Sequence, residues 1–258
     1  MKLRLLLIVQ DSKRRAKQPV SANVDDGRLA RGQTTRELIL VTAERLFAEF
    51  GISAVSLRDI AAAAGQKNNA AVHYHFGDKE KLLKEIVLFR VKDIEEKSTA
   101  IQEKLNSGSK PPQVSDYVRS YVLPFEKNID EGNYYLLFLS RIIIERGGIS
   151  GLRDHVTIRS TDLLREGLRK ALPNCPEPTI EARWQIVVIS VIHSLASYQT
   201  AYRSGALTAP LEHLLDDLIR FHTAGLKAAP RPPSKRADAA PPPYPRRGVR
   251  TKPMDSER

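Results

Sequence analysis

Residues 56–76 read SLRDIAAAAGQKNNAAVHYHF, and this stretch decides the fold. Ser56 followed three residues later by Asp59 is a capping-box-like helix start: a hydroxyl to meet the first orphan amides, and an acid to reach back. Leu57, Ile60, Ala61 and Ala64 then fall at i, i+3, i+4 and i+7, which is one helical face, and Gly65 ends it. A second short helix, about residues 68–75, is predicted to bury Val72 and Phe76, spaced i, i+4. Two short helices joined by a glycine-bearing turn describe a helix-turn-helix unit. A buried helical hairpin has the same pattern, so the flanking residues must decide between them.

Upstream, residues 34–50 place Ile39, Ala43, Leu46, Phe47 and Phe50 on one helical face, and Gly51 stands where a C′ glycine should. Downstream, Asp78 is placed to cap a further helix with Glu80 in its first turn, and Leu82, Leu83, Ile86, Val87 and Phe89 carry it toward Leu105. Residues 106–113 (NSGSKPPQ) form a linker. Helices are then expected at about 114–130, 133–146, 152–172, 178–204 and 211–227, with a kink at Pro124, which lacks a donor. Trp184, Val187, Val188, Val191, Ile192 and Leu195 line one of the last two; Leu211, Leu214, Leu215, Leu218 and Ile219 line the other. The β-branched runs 142–144 and 186–191 suit strands on propensity, but each lies inside a long segment without breakers. No sustained period-2 alternation appears. The expected class is all-α: an N-terminal three-helix unit over 34–86 and a C-terminal helical body over 87–227.

The remainder of the 258 residues is two basic tails. The chain carries 41 Lys+Arg against 30 Asp+Glu, a formal charge of +11. Residues 1–33 contribute +5 and residues 228–258 another +5, so the middle is nearly neutral. The C-terminal tail holds eight of the sixteen prolines and almost no large apolar residue, too little to offset the entropy of ordering it, and reads as disordered. The N-terminal tail reads as a flexible basic arm. Its apolar knot at residues 3–9 also suits a start codon assigned upstream of the true one. A single cysteine, Cys175, excludes an internal disulfide framework and fits a reducing compartment. No stretch approaches the roughly 18 apolar residues of a membrane span. A basic balance of this size suggests a polyanionic partner.

These motifs, taken in order, resemble the N-terminal domain of TetR/AcrR-family transcriptional regulators over about residues 34–86. The family pattern has Leu-Phe-x-x-x-Gly, here Leu46-Phe47 to Gly51. A Thr or Ser, here Ser56, opens the next helix, followed by Ile-Ala-x-x-Ala-Gly, here Ile60 to Gly65. An aromatic run with Ser/Asp-Lys-Glu-x-Leu follows, here His73-Tyr74-His75-Phe76 and Asp78 to Leu82. One departure stands out. Six residues separate Gly65 from Val72 where the family has five, and Ala70-Ala71 replaces the usual Gly-Thr-like pair.

The resemblance implies a ligand-responsive repressor, bound as a homodimer to a pseudo-palindromic double-stranded operator. An effector in residues 87–227 would change the separation of the two reading helices. Lys67, Asn68 and Asn69 sit at the entry to the third helix, with Ala70 beside them; Asn and Lys suit base edges there, or the asparagines serve the turn. His73 and Tyr74 match aromatic positions that touch phosphates in family members, or pack the short helices together. Ser56 and Lys79 lie at helix N-termini, where amides and the helix dipole attract phosphate, Ser56 having the competing role of cap. Arg31, with Arg28, precedes the first helix and suits a minor-groove arm or plain solvation. Residues 34–86 carry seven basic and seven acidic groups, so geometry and the arm must supply the attraction.

Tyr121, Phe125, Tyr134, Tyr135, Phe138, Arg141, Trp184 and His193 offer polar tips among apolar walls, either as an effector pocket or as plain core. His73 and His75 point to different helix faces and no metal site is expected. No cofactor motif and no hydrolase, Walker or zinc-protease signature occurs, so the chain is not expected to be an enzyme. Two rival readings remain. One is an architectural DNA binder without an effector. The other is a helical ligand- or partner-binding protein that has lost DNA recognition, which the altered Gln66–Ala71 turn motivates. The expected location is the bacterial cytoplasm, at the nucleoid when bound.

Overall fold

A computed structural model describes residues 27–66, 68, 70–130, 132–147 and 159–230. Among these, every regular element is helical. The expected mobile arm before residue 27 and the disordered tail after residue 230 lie outside the described residues.

The first helix, α1 (Gly27–Phe50), begins earlier than its apolar pattern, so Arg28 and Arg31 lie on helical backbone rather than in an extended arm. Helix can extend past the point where burial begins, and periodicity registers only burial. Ile39, Leu40, Ala43, Leu46 and Phe47 are fully buried, as the face at i, i+4, i+7 and i+8 requires. Gly51 ends α1 with φ +88, and its amide donates to the Phe47 carbonyl at 2.9 Å.

Helices α2 (Leu57–Ala63) and α3 (Ala70–Phe76) pack on each other, and α2 also packs on α1. Ile60, Ala61, Val72 and Phe76 fill the space between them. Then α4 (Lys79–Asn106) runs for 28 residues, about 42 Å at 1.5 Å per residue. It packs on α1 and α3, and also on α5 (Val114–Val122) and α7 (Arg159–Ala171). One rigid element is therefore shared by both parts. Its later turns carry a buried polar thread. Gln102 Nε2 donates to the Ser160 carbonyl at 3.1 Å, and Ser98 Oγ to the Ser120 carbonyl at 3.1 Å.

Pro124 does more than kink the expected 114–130 helix. The α-helix stops at Val122 and continues as a 3-10 turn over Leu123–Asn128, because proline cannot donate the next bond. Helix α6 (Tyr135–Glu145) packs against α1 on one side and α8 (Glu177–Arg203) on the other. The last helix, α9 (Leu211–Lys227), lies against α5 and α8. Helices α5 and α7 approach closely: a Cβ on Gly167 would come within 2.2 Å of the Tyr117 ring. No described helix is long and apolar enough to cross a membrane.

Candidate nucleic-acid interface

The surface that α3 turns to solvent follows from its own spacing. Val72 and Phe76 face inward at i, i+4; Ala70, His73 and Tyr74 face outward at i, i+3, i+4. Tyr74 is 86% exposed, a rare state for so large a ring. His75 lies edge-on to Tyr74 at 5.3 Å and beside Phe76 at 6.1 Å.

The turn into α3 is set by Asn68. Its side-chain Oδ1 accepts the Ala70 amide at 2.8 Å, and its carbonyl accepts the Ala71 amide at 3.0 Å. This is an Asx turn. The side chain is exposed and its amide nitrogen remains available as a donor. Bidentate pairing with adenine, which needs Oδ1 as well, competes with the turn. Lys67 and Asn69 lie outside the described residues.

Two of the expected phosphate contacts, Ser56 and Lys79, also have partners within the chain. The Ser56 hydroxyl accepts the Asp59 amide at 3.2 Å and donates to the Asp59 carboxylate at 2.7 Å. Its one proton is used, and a carboxylate sits beside it. Lys79 turns inward: Nζ donates to the Ile52 carbonyl at 2.8 Å and lies 5.9 Å from the centre of the Phe47 ring. Burial, together with Arg146 nearby, lowers its pKa. The Ser56 proton is already committed to the cap, and one of the three Lys79 donors is committed to the loop. Of Arg31 only the helical backbone is described. Asp78 caps α4 through the Lys81 amide at 2.8 Å, which holds its carboxyl below the ordinary range.

The aromatic and polar residues expected in a pocket divide into groups. Tyr121 stands edge-on to Trp184 at 4.9 Å and to Phe125 at 5.6 Å, an aromatic cluster between α5, the 3-10 turn and α8. Burial pushes the Tyr121 phenol well up, and the Tyr135 phenol likewise. By contrast, Phe138, Arg141 and Tyr134 face α1. Phe138 stacks on Phe47 at 6.2 Å, Arg141 Nε donates to the Ala48 carbonyl at 3.2 Å, and the Tyr134 amide donates to Glu44 at 3.2 Å. Tyr134 also lies under the Arg203 guanidinium, 3.7 Å from its ring centre. His193 is tied to Ser140 at 2.7 Å. The expected lining residues are thus divided, three of them facing α1 and the Tyr121 cluster facing α8. Polar tips among apolar residues are equally what a domain junction needs.

That junction contains residues the sequence reading missed. Glu44 on α1 is 1% exposed and accepts Arg90 Nε at 2.7 Å and Nη2 at 2.9 Å. Glu145 accepts the amides of Ile52 and Ser53, and Arg146 pairs with Glu80 at 2.8 Å. A charge on an otherwise apolar helical stripe, as at Glu44, was the available signal. Glu145 left none, because its partners lie over ninety residues away.

A three-helix unit with a short, exposed reading helix, set on an all-helical body, is the architecture of a helix-turn-helix regulator. The chain belongs to the TetR family of bacterial regulatory proteins. Residues 39–86 match the model for bacterial regulatory proteins of the tetR family, and residues 117–225 match the tetracyclin repressor-like C-terminal domain. The two together span more than half of the chain. Over 54 residues it is 48% identical to the HTH-type transcriptional regulator AcrR of Shigella flexneri, covering 21% of this chain and 25% of that protein. The match thus spans about a quarter of that relative's length. Two solved structures share the fold. A putative tetR-family regulator from Shewanella sp. PV-4 superposes with a TM-score of 0.51 at 16% identity, covering 74% of this chain and 97% of that one. The fatty acid degradation regulator FadR of Bacillus halodurans gives 0.53 at 14% identity, over 74% and 99%.

Proposed function

We propose that the chain is a ligand-responsive transcriptional repressor of the cytoplasm, without catalytic activity, that binds a pseudo-palindromic DNA operator as a homodimer. The observation that carries this reading is the outward face of α3, where a nearly naked tyrosine and an exposed histidine stand beside Ala70 and Asn68. A tyrosine this exposed offers both its ring and its hydroxyl to whatever lies against α3. In the major groove, Ala70 meets a thymine methyl and the Asn68 amide donates to an acceptor edge such as guanine O6/N7. His73 and Tyr74 meet the flanking phosphates. Lys67 and Asn69 contribute from the same turn, and Arg31 and the preceding tail add charge.

Two-fold operators require two reading helices about 34–36 Å apart. The helices expected to pair with their symmetry mates are those at about 178–204 and 211–227, and the apolar residues that line them, Val187, Val191, Leu195, Leu218 and Ile219 among them, are buried inside the protomer. The faces left over carry Ile186 at 61% exposure, Tyr202 at 42% and Phe221 at 72%. These residues of α8 and α9 are the ones we assign to the symmetry mate. The effector binds beside the Tyr121, Phe125 and Trp184 cluster and shifts the population of DNA-competent dimers. Replacing His73 and Tyr74 by alanine tests the reading. The variant should melt like the wild type and lose most of its affinity for duplex DNA; unchanged affinity removes α3 as the reading surface.

A further inference from the structure

The last turn of α6 carries a carboxylate where a helix least favours one. Glu145 closes α6 at the negative end of its dipole. Arg141, four residues earlier on α6, attracts the carboxylate, but among the described residues its oxygens take their hydrogen bonds from outside the helix. They accept the backbone amides of Ile52 at 3.1 Å and Ser53 at 2.9 Å, in the loop between α1 and α2. A residue that opposes its local preference while matching a distant partner exactly in this way has its reason in the distant partner.

Three further observations converge on that loop. Gly51 precedes it at φ +88, and a Cβ there would stand 2.8 Å from Glu145 Oε1. The backbone and the missing side chain together make room for the carboxylate. Ile52 is fully buried, and its carbonyl accepts Lys79 Nζ. Residue 52 is thus held at its N–H from α6 and at its carbonyl from α4. Beside them, Arg146 of the α6 end pairs with Glu80 of the α4 start at 2.8 Å. The loop leads directly to Ser56, which caps α2, and α2 carries α3. The height of this loop therefore sets where the reading helix stands.

We propose that Glu145 is a positioning residue for DNA recognition: acting from the C-terminal domain, its carboxylate fixes the α1–α2 loop and so the seat of α2 and α3 on the duplex. This rests on the DNA-binding reading above and adds a named point at which the α6 end governs it. The amides of Ser53 and Ile52 outweigh the effect of burial and keep the carboxyl below its ordinary pKa, so the link is charged at neutral pH.

The test uses the full-length chain and the duplex enriched by the wild type, with Glu145→Gln and Glu145→Asp compared well below their melting temperatures. The glutamine keeps the shape but sets an NH2 against one backbone donor. It should weaken binding about tenfold, roughly 1.4 kcal/mol. The slope of log K against log salt should stay unchanged, because no phosphate contact is lost. Amide exchange at Ile52 and Ser53 should quicken. Aspartate, shorter by one methylene but still charged, should recover part of the affinity. Wild-type affinity for Glu145→Gln overturns the proposal, and so does an affinity loss that disappears when corrected for the folded fraction. A wild-type chain that enriches no duplex overturns the DNA-binding reading itself, and the role of Glu145 with it.

Discussion

Arg90 on α4 grips the buried carboxylate of Glu44 on α1 through two hydrogen bonds, Nε at 2.7 Å and Nη2 at 2.9 Å. The Tyr134 amide at the start of α6 adds a third donor to the same carboxylate. Three helices from both parts of the chain thus meet on one charge. Removing one partner strands the other in a poorly solvated place. Glu44→Ala or Arg90→Ala should each destabilise the fold by about 3–5 kcal/mol, read from denaturant midpoints, and the double variant should lose less than the sum. Additive losses contradict the pairing.

Asn68 separates the turn from the reading. Asn68→Ala removes the acceptor for the Ala70 amide and should cost about 1 kcal/mol of stability. Asn68→Asp keeps that acceptor but loses the amide donor and adds a negative charge beside the phosphates. Its melting should stay near the wild type while DNA affinity falls more than tenfold. An aspartate variant that binds normally contradicts a base or phosphate contact by Asn68.

Most of the fold was legible because burial imposes a period. The inward residues of α1, α2, α3 and α4 could be read from their spacing at i, i+3 and i+4, and glycines at 51 and 65 marked the ends. The start of α1 was not, since its first turns carry no apolar stripe. The exposed face of α3 followed from the same spacing. The directions of Lys79 and Ser56 did not, because a helix N-terminus fixes where a side chain begins and not what it reaches. Nothing local in the sequence distinguished Arg141 and Phe138 as junction residues from pocket residues; only the packing of α6 on α1 separates them.

Residues 1–26 hold six Lys or Arg and three Asp or Glu. Deleting them should weaken binding to all duplexes and flatten its salt dependence, with site preference kept. Fluorescence anisotropy across a potassium chloride series measures both. Unchanged affinity and slope leave the basic arm without a role on DNA.

His222 on α9 is 3% exposed, and its Nε2 has no hydrogen-bond partner among the described residues. Burial lowers its pKa from the usual 6.5. The folded chain therefore holds the ring neutral, while the unfolded chain takes up a proton. Stability is full above about pH 6.5 and is lost as pH falls below it, by at most about 1.4 kcal/mol per pH unit for one proton. Urea unfolding at pH 7.5 and 5.5 should show a smaller difference for His222→Leu than for the wild type. Equal differences place the acid sensitivity elsewhere.

In the dimer we propose, two copies of α3 read DNA. Selection of duplexes from a random pool by the full-length chain, at low and at near-physiological salt, tests it most directly. The expected result is an enriched inverted repeat whose half-sites are centred about one helical turn or a multiple of it apart. A pool that stays random at every salt concentration contradicts it.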